Sequence, residues 1–434
     1  MTNETKTREL LGILEQEVKP ALGCTGPIAV SFAVAVAKDA IGGTPESVRI
    51  FVDRGNCVKN DDVGIPGTSQ TGTAVAAALG AICGDSKAGL NVLHKVTPDD
   101  EIEACKLAEQ NVTIDIDWDF KGIGLYIDAT VKTNKGVGRA VVAKTHTNVI
   151  LIEVNGEVKY QKEDEDRDTV IDETKAPIRQ FTTRDFYYFV RSVPYKDIAF
   201  LKDAIVLNKK LAEVGLNRKV GAGFGAAFGQ LKGNSTYVKA KSLTAAASDA
   251  RMAGSDYPAM SCATSGNVGI TASLPLMVVA QEKGKTEEDM VRALALSFLL
   301  TIYIKNHIGR LSAMCSCVIA ASVGVAAGTA LLINESYDTI QAAISNTVAS
   351  LCGIVCDGAR LACAFKLANA VGIAFESAHL AAAGVHVPSN QGVICASADD
   401  TLALLGRIAH EGMVDTDKVL CKAMYQRNQE VRAV

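Results

Sequence analysis

Cys352, Cys356 and Cys363 stand at i, i+4 and i+11. At 100° per residue this spacing brings the three to within about 40° of one another, so an unbroken helix would set them on one face. A stripe of small buried residues has the same look, because cysteine is among the most buried residue types. Two details favour chemistry. In "CDGA", Asp357 and Gly358 follow Cys356 directly, which suits a helix break better than a smooth core stripe. Upstream, "MCSCV" sets Cys315 and Cys317 two residues apart; on a helix these point to opposite sides, so at most one joins the downstream set. No pair of C-x-x-C units marks a zinc ribbon, and no C-x2-C-x2-C run marks a ferredoxin. What is left is a dispersed set of three thiolates. An iron–sulfur cube held by three cysteines leaves one iron open as a Lewis acid.

A further thiol, Cys24, lies in "KPALGCTGPIAV", residues 19–30. Thr25 suits a helix N-cap and Pro27 a first turn, so Cys24 is expected at a helix start, where the positive dipole end favours thiolate. On spacing alone it reads as small apolar filler.

The elements that must position these thiols fall into two regions. Residues 5–18 carry Leu10, Leu11, Leu14 and Val18 at helical spacing, and a second helix is expected from just after Gly23 through "PIAVSFAVAVAKDA". "VRIFVDR" (48–54) reads as a strand, "GNCVKNDDVGIPGTSQTG" as a loop and "TAVAAALGAIC" as a helix. Between 111 and 160, "VTIDIDW", "LYIDATVKT", "GRAVVAKTH", "VILIEV" and "EVKYQK" alternate as strands. The charged run "KEDEDRDTVIDETKAP" (162–177) reads as a linker, after which nearly everything is helical and Ala-rich. The expected class is α+β: an α/β domain over 1–175 carrying Cys24 and part of a substrate site, then an all-helical thiol-bearing domain over 176–434. "GAGFGAAFG" (221–229) looks like a dinucleotide loop but follows no strand, so it is discounted.

Composition narrows the classes. Hydrophobic residues make up 48% and charged residues 21%, a globular balance, and 434 residues exceed one ordinary core. A net charge of −4 leaves no basic footprint for nucleic acid or an anionic membrane, and 5% aromatics no base-stacking surface. "MTNETKTRELLGILEQEV" has no apolar signal region, so a cytoplasmic location with twelve mostly reduced thiols is expected. "LSAMCSCVIAASVGVAAGTALLI" (311–333) has 23 uncharged residues, enough to span a bilayer, but its small side chains read as a buried helix.

Together "ALGCTGP", "IPGTSQTG", "KTHTNVILIE", "ASDARMAG", "SGNVGI", "RLSAMC" and "CDGARLAC" resemble the L-cysteine desulfidase family, from about residue 10 to about 425 and in the same order. That family is related to the iron–sulfur L-serine dehydratase alpha chains and includes bacterial members of no assigned activity. The resemblance implies a [4Fe-4S] cluster held by Cys315, Cys356 and Cys363. Cys315 is preferred over Cys317 because the family pattern Leu-Ser-Ala-x-Cys matches Leu311 to Cys315; Cys317 and Cys352 stay open as substitutes. The family's catalytic base falls on Cys24, and Gly26 departs from the Glu that many relatives carry there.

The reaction implied is α,β-elimination: L-cysteine and water give hydrogen sulfide, ammonia and pyruvate in an oxygen-sensitive carbon–sulfur lyase. It needs a polarised leaving sulfur, a base for the Cα proton and a held carboxylate. The substrate-binding candidates are Thr25, Gly67, Thr68, His146, Ser265, Gly266 and Asn267; ordinary turn and cap chemistry is the plainer reading for the turn residues, and a structural hydrogen bond for His146. Asn306 and His307 precede the Cys315 segment as candidate donors behind it. Cys57, Cys83, Cys105, Cys262, Cys395 and Cys421 read as packing or surface thiols. The expected partner is a small amino acid, with no nucleic acid or membrane; a homodimer is allowed but not read from the sequence. L-serine with a hydroxyl leaving group is the nearest alternative. Pyridoxal phosphate chemistry lacks a lysine in a convincing setting, and a non-catalytic helical protein would use its cysteines for packing alone.

Overall fold

Alternation of inward and outward side chains organises the first part of the chain into a sheet. The structure, a computed structural model, describes residues 2–21, 25–120, 125–162, 176–217, 220–231, 235–309 and 312–432. Cys24 and nearly all of the expected linker at 162–177 lie outside the described residues. The strands are β1 (Val18–Ala21), β2 (Pro45–Asp53), β3 (Val112–Asp117), β4 (Tyr126–Thr133), β5 (Gly136–Ala143), β6 (Val149–Val154), β7 (Glu157–Gln161) and β8 (Ala259–Cys262). Six form one sheet in the order β3-β2-β4-β5-β6-β7, with β2 and β3 parallel and every other pair antiparallel. Val48, Ile50 and Val52 of β2, Ile127, Ala129 and Val131 of β4, and Ala140 and Val142 of β5 share one buried core with the helix Thr25–Ile41. The helix Thr73–Ile82 packs on that helix, where the Ser31 hydroxyl donates to the Ala76 carbonyl at 2.6 Å. The α+β expectation holds, and the strands of this sheet fall within a few residues of the expected segments.

After residue 182 the described chain is helical apart from β8. The helix Ser316–Ile333 packs against the helices Gly266–Glu282, Glu287–Ile308, Tyr337–Leu351 and Cys363–Ala382. Small residues permit this approach: a Cβ on Gly324 would lie 2.5 Å from the Ser297 carbonyl oxygen. Among the described residues it is the one helix long and apolar enough to cross a membrane, and 83% of it is buried inside the fold.

Both chain ends cross the division expected at 175/176. Leu10, Ile13 and Leu14 of the helix Asn3–Glu17 pack with Ile178, Phe181 and Phe186 in the helical core. β1 pairs antiparallel with β8, a two-stranded sheet not expected from the sequence. In the other direction, Cys421 and Met424 of the helix Val414–Arg432 enter the core beside the sheet. The two regions are thus laced together, and the site lies at their junction. The "GAGFGAAFG" glycines serve packing: the Asp249 carboxylate accepts the N–H groups of Ala222 at 3.2 Å and Gly225 at 2.8 Å.

Candidate active site

Four long helices begin at the wall of one cavity of about 200 Å³. Thr25 opens the helix Thr25–Ile41, and Ser265 and Asn267 stand at the start of Gly266–Glu282. Cys315, Ser316 and Cys317 stand at the start of Ser316–Ile333, and Cys363 at that of Cys363–Ala382. Each helix start favours a nearby anion by about 0.3–1 kcal/mol, and by up to about 2 kcal/mol in partly buried geometry. Arg54, Lys59, Arg251 and Lys305 also line the cavity, against Asp53 and Asp417. The balance favours negative contents.

Among the described residues four thiols face this space: Cys315, Cys317, Cys356 and Cys363. The one-face helix drawn from the i, i+4, i+11 spacing does not exist, because the helix Tyr337–Leu351 ends before Cys352 and the next begins at Cys363. Gly353 and Gly358, at φ 90° and 96°, turn the connecting loop through a conformation that other residues rarely adopt. The loop is instead clipped to the segment before Ser316. Cys315 donates its backbone N–H to the Ile354 carbonyl at 2.8 Å, and Cys356 donates to the Ala313 carbonyl at 2.7 Å. This short antiparallel bridge puts the Cys315 thiol in hydrogen-bond contact with Cys356.

The expectation that Cys315 and Cys317 point to opposite sides is also overturned. Cys315 is the N-cap, with extended backbone at φ −71° and ψ 97°, so helical rotation does not separate the pair and both thiols reach the cavity. Cys352 does not line it. Cys57, Cys83, Cys105, Cys262, Cys395 and Cys421 do not line it either, and the eleven cysteines described are all free thiols.

Electrostatics distinguish the thiols. The hydrogen bond from Cys315 and the nearby Lys59 ammonium outweigh burial and lower the Cys356 pKa to about 5. The Cys315 hydrogen bond likewise lowers Cys317. Hydrogen-bond contact with the Cys317 and Cys356 thiols, together with burial, holds Cys315 well above the ordinary thiol value. Burial pushes Cys363 up to about 12; its sulfur receives the Arg360 N–H at 3.5 Å and points to the Gly358 carbonyl at 3.4 Å.

Several cavity residues escaped the sequence reading. The segment read as a loop after β2 begins with a helix, Arg54–Lys59, capped by Asp53, which accepts the Asn56 N–H at 2.7 Å. That helix aims Arg54 and Lys59 into the cavity, where both pair with Asp417 from the far end of the chain. For Lys59 burial works to lower the pKa, but the Cys356 and Asp417 charges outweigh it and raise the value. Lys305 is 1% exposed and donates to the Ala263 carbonyl at 2.7 Å. Ala263 and Thr264 are both left-handed, at φ 45° and 66°, and lead directly into Ser265. A lone Lys in the apolar run "FLLTIYIKNHI" was a visible signal; no spacing announces Lys59 with Asp417.

The expected substrate-binding residues divide. Thr25, His146, Ser265 and Asn267 line the cavity. The Ser265 side chain makes no cap bond to its helix. Gly266 provides room: a Cβ there would lie 2.3 Å from Arg251 Nε. Gly26 does likewise for Asn60, whose amide nitrogen would lie 2.2 Å from a Cβ, so a Glu at this place would displace Asn60. Gly67 and Thr68 are not in the wall; they form a separate turn in which the Thr68 hydroxyl donates to the Ile65 carbonyl at 2.9 Å. Asn306 and His307 are also outside it, with Asn306 Nδ2 donating to the Ile302 carbonyl and His307 packed on Tyr303.

Known proteins are similar to this chain in sequence along nearly its full length. A family model described as the serine dehydratase alpha chain matches residues 87–422. A UPF0597 protein of Caldanaerobacter subterraneus is 40% identical over 423 residues, covering 96% of this chain and 98% of that one. One of Clostridium tetani is 38% identical over 419 residues, covering 96% and 98%. One of Chromobacterium violaceum is 39% identical over 432 residues, covering 96% and 97%. With a family match over more than half its length and relatives that align end to end, the chain belongs to the family of serine dehydratase alpha chains and UPF0597 proteins.

Proposed function

We propose that the protein is an L-cysteine desulfidase, a carbon–sulfur lyase that uses a [4Fe-4S] cluster held by Cys315, Cys356 and Cys363. The observation that carries the reading is the meeting of these thiols in one cavity with Ser265, Asn267 and Arg251, where four helix starts converge. The donor set suits the cluster. The thiols are free, and Lys59 and Lys305 line the same wall to offset thiolate charge. Among the described residues no three His, Cys, Asp or Glu side chains are grouped for a single metal ion.

When bound, the cluster would supply a Lewis acid at the substrate sulfur. The chain's own residues do the rest. Arg251 and the start of Gly266–Glu282 take the carboxylate, with Ser265 and Asn267 orienting it. Cys24 takes the Cα proton; its neighbour Thr25 lines the cavity. The Cys315 hydrogen bond and, after it, the Lys59 ammonium favour the thiolate form of Cys356, the form that serves as a ligand. The aminoacrylate released becomes an imine and hydrolyses to pyruvate and ammonia.

A second reading, L-serine dehydratase, is favoured by the description of the matching family model. Sulfide release from L-cysteine and pyruvate release from L-serine, measured on the same anaerobic preparation, separate the two. Faster turnover of L-cysteine supports the desulfidase; turnover of L-serine alone replaces it.

A further inference from the structure

The short helix Arg54–Lys59 brings one more residue to the cavity, Asn56, which neither the motifs nor the reaction above employ. Asn56 is 3% exposed. Its backbone N–H is taken by the Asp53 carboxylate at 2.7 Å, and that carboxylate also accepts the Tyr126 N–H at 3.0 Å. One arm of the side-chain amide is used as well: Asn56 Oδ1 accepts from Asn60 Nδ2 at 3.1 Å. The other arm, Nδ2, is buried and meets no acceptor among the described residues. Folded proteins seldom leave a buried donor in that state, so the position calls for an acceptor carried by what the cavity binds.

Chemistry narrows that acceptor. The ammonium of an amino acid only donates, which leaves the carboxylate and the sulfur. The sulfur belongs with the thiols of the opposite wall on the reading above. The Asn56–Asn60 pair stands instead beside the start of the helix Thr25–Ile41, where a Cβ on Gly26 would lie 2.2 Å from Asn60 Nδ2. That is the side given to the base, and the carbon that loses its proton also carries the carboxylate. We propose that Asn56 Nδ2 donates a hydrogen bond to the carboxylate of the substrate. Arg251, from the helical region, and Asn56, from the sheet region, then grip one group from two sides. The inference rests on the lyase reading above and adds to it a substrate class, amino acids with a free carboxylate. Negative charge moves onto the carboxylate as the Cα proton leaves, so this bond strengthens in the transition state.

Two variants and two unreactive ligands test this by calorimetry on anaerobically prepared protein, with no turnover needed. Asn56→Asp keeps Oδ1 for Asn60 and removes the donor; Asn56→Leu removes both at similar size. L-Alanine carries carboxylate and ammonium without a leaving group, and cysteamine carries thiol and amine without a carboxylate. L-Alanine affinity is expected to fall at least about tenfold in both variants, while cysteamine affinity of Asn56→Leu stays within about twofold of wild type. Asn56→Asp is expected to keep the wild-type urea midpoint and iron content, and to lose kcat as well as KM toward L-cysteine. Wild-type affinity for L-alanine in either variant overturns the inference. So does an equal loss of both ligands in Asn56→Leu. An Asn56→Asp protein that loses its urea midpoint and its iron also overturns it, because Asn56 would then serve the fold. A wild type that binds L-alanine but turns over neither L-cysteine nor L-serine overturns the lyase reading alone; one that binds neither ligand overturns both.

Discussion

Gly358 lies so close to Lys59 that a Cβ on it would sit 2.0 Å from the Lys59 carbonyl oxygen. The next residue, Ala359, donates its N–H to that same oxygen at 2.8 Å. Arg360 follows with a bond to the Val58 carbonyl at 2.8 Å and an ion pair to Asp62 at 2.9 Å. The loop between Cys356 and Cys363 is therefore seated on the short helix after β2, and the thiol geometry depends on that seat.

Gly358→Ala should unseat the loop. The new Cβ meets backbone, and the residue must hold φ 96°. Such a change should cost about 2–4 kcal/mol. The check is a urea midpoint together with the iron content after anaerobic loading; both are expected to fall. Wild-type values for both would show that the loop does not depend on this contact.

Lys305→Met should damage substrate binding more than cluster loading. Two left-handed non-glycine residues, Ala263 and Thr264, precede Ser265, and the Lys305 ammonium ties down the first of them. Losing a charged hydrogen bond at a buried site costs about 1.5–3 kcal/mol. The KM is expected to rise about tenfold or more with iron content unchanged. A variant with wild-type KM would detach Lys305 from the positioning of the turn.

Asp53 should give the protein an acid-side signature. It is buried within the cavity wall, and burial raises its pKa from 3.8 to about 6 despite the N–H groups of Tyr126 and Asn56. Between those values the unfolded chain is ionised while the folded one keeps its proton. Stability is therefore lost as pH rises through this window, by up to about 3 kcal/mol from this group alone. Asp53→Asn removes the titration, so unfolding free energies from pH 3.5 to 6.5 should fall more steeply for the wild type than for the variant. Parallel curves would mean that Asp53 is ionised throughout.

Cys24 and Cys356 should separate chemistry from cofactor retention. Cys24→Ala is expected to load its cluster normally and lose about 100-fold or more of turnover, the range of a general base. Cys356→Ser is expected to lose both colour and activity. If Cys356→Ser keeps both, the ligand assignment is wrong.

Much of this was readable before the structure because it rests on short-range pattern. Alternation placed β2 through β7, and helix-start chemistry placed the helix that opens at Thr25. An interruption near Asp357-Gly358 was visible, but the helix ends earlier, at Leu351, and Gly358 turns the loop that follows. What could not be read depends on long-range contact or on a one-residue offset. β1 and β8 are four residues each and pair across most of the chain. Lys59 and Asp417 meet only because the last helix folds back onto the sheet core. Cys317 turns inward because the helix begins at Ser316, after Cys315. Gly67 and Thr68 show the opposite failure: the turn chemistry was real, but the turn faces elsewhere.

The central claim, a thiol-held iron–sulfur cluster that cleaves the carbon–sulfur bond of L-cysteine, meets its most direct test in protein purified without oxygen. Visible absorption, iron content and sulfide release from L-cysteine are measured on one sample. The account predicts a brown protein with about four irons per chain, broad absorption that bleaches in air, and sulfide production that disappears with the colour. A colourless protein with all twelve thiols titratable and no sulfide released would contradict it.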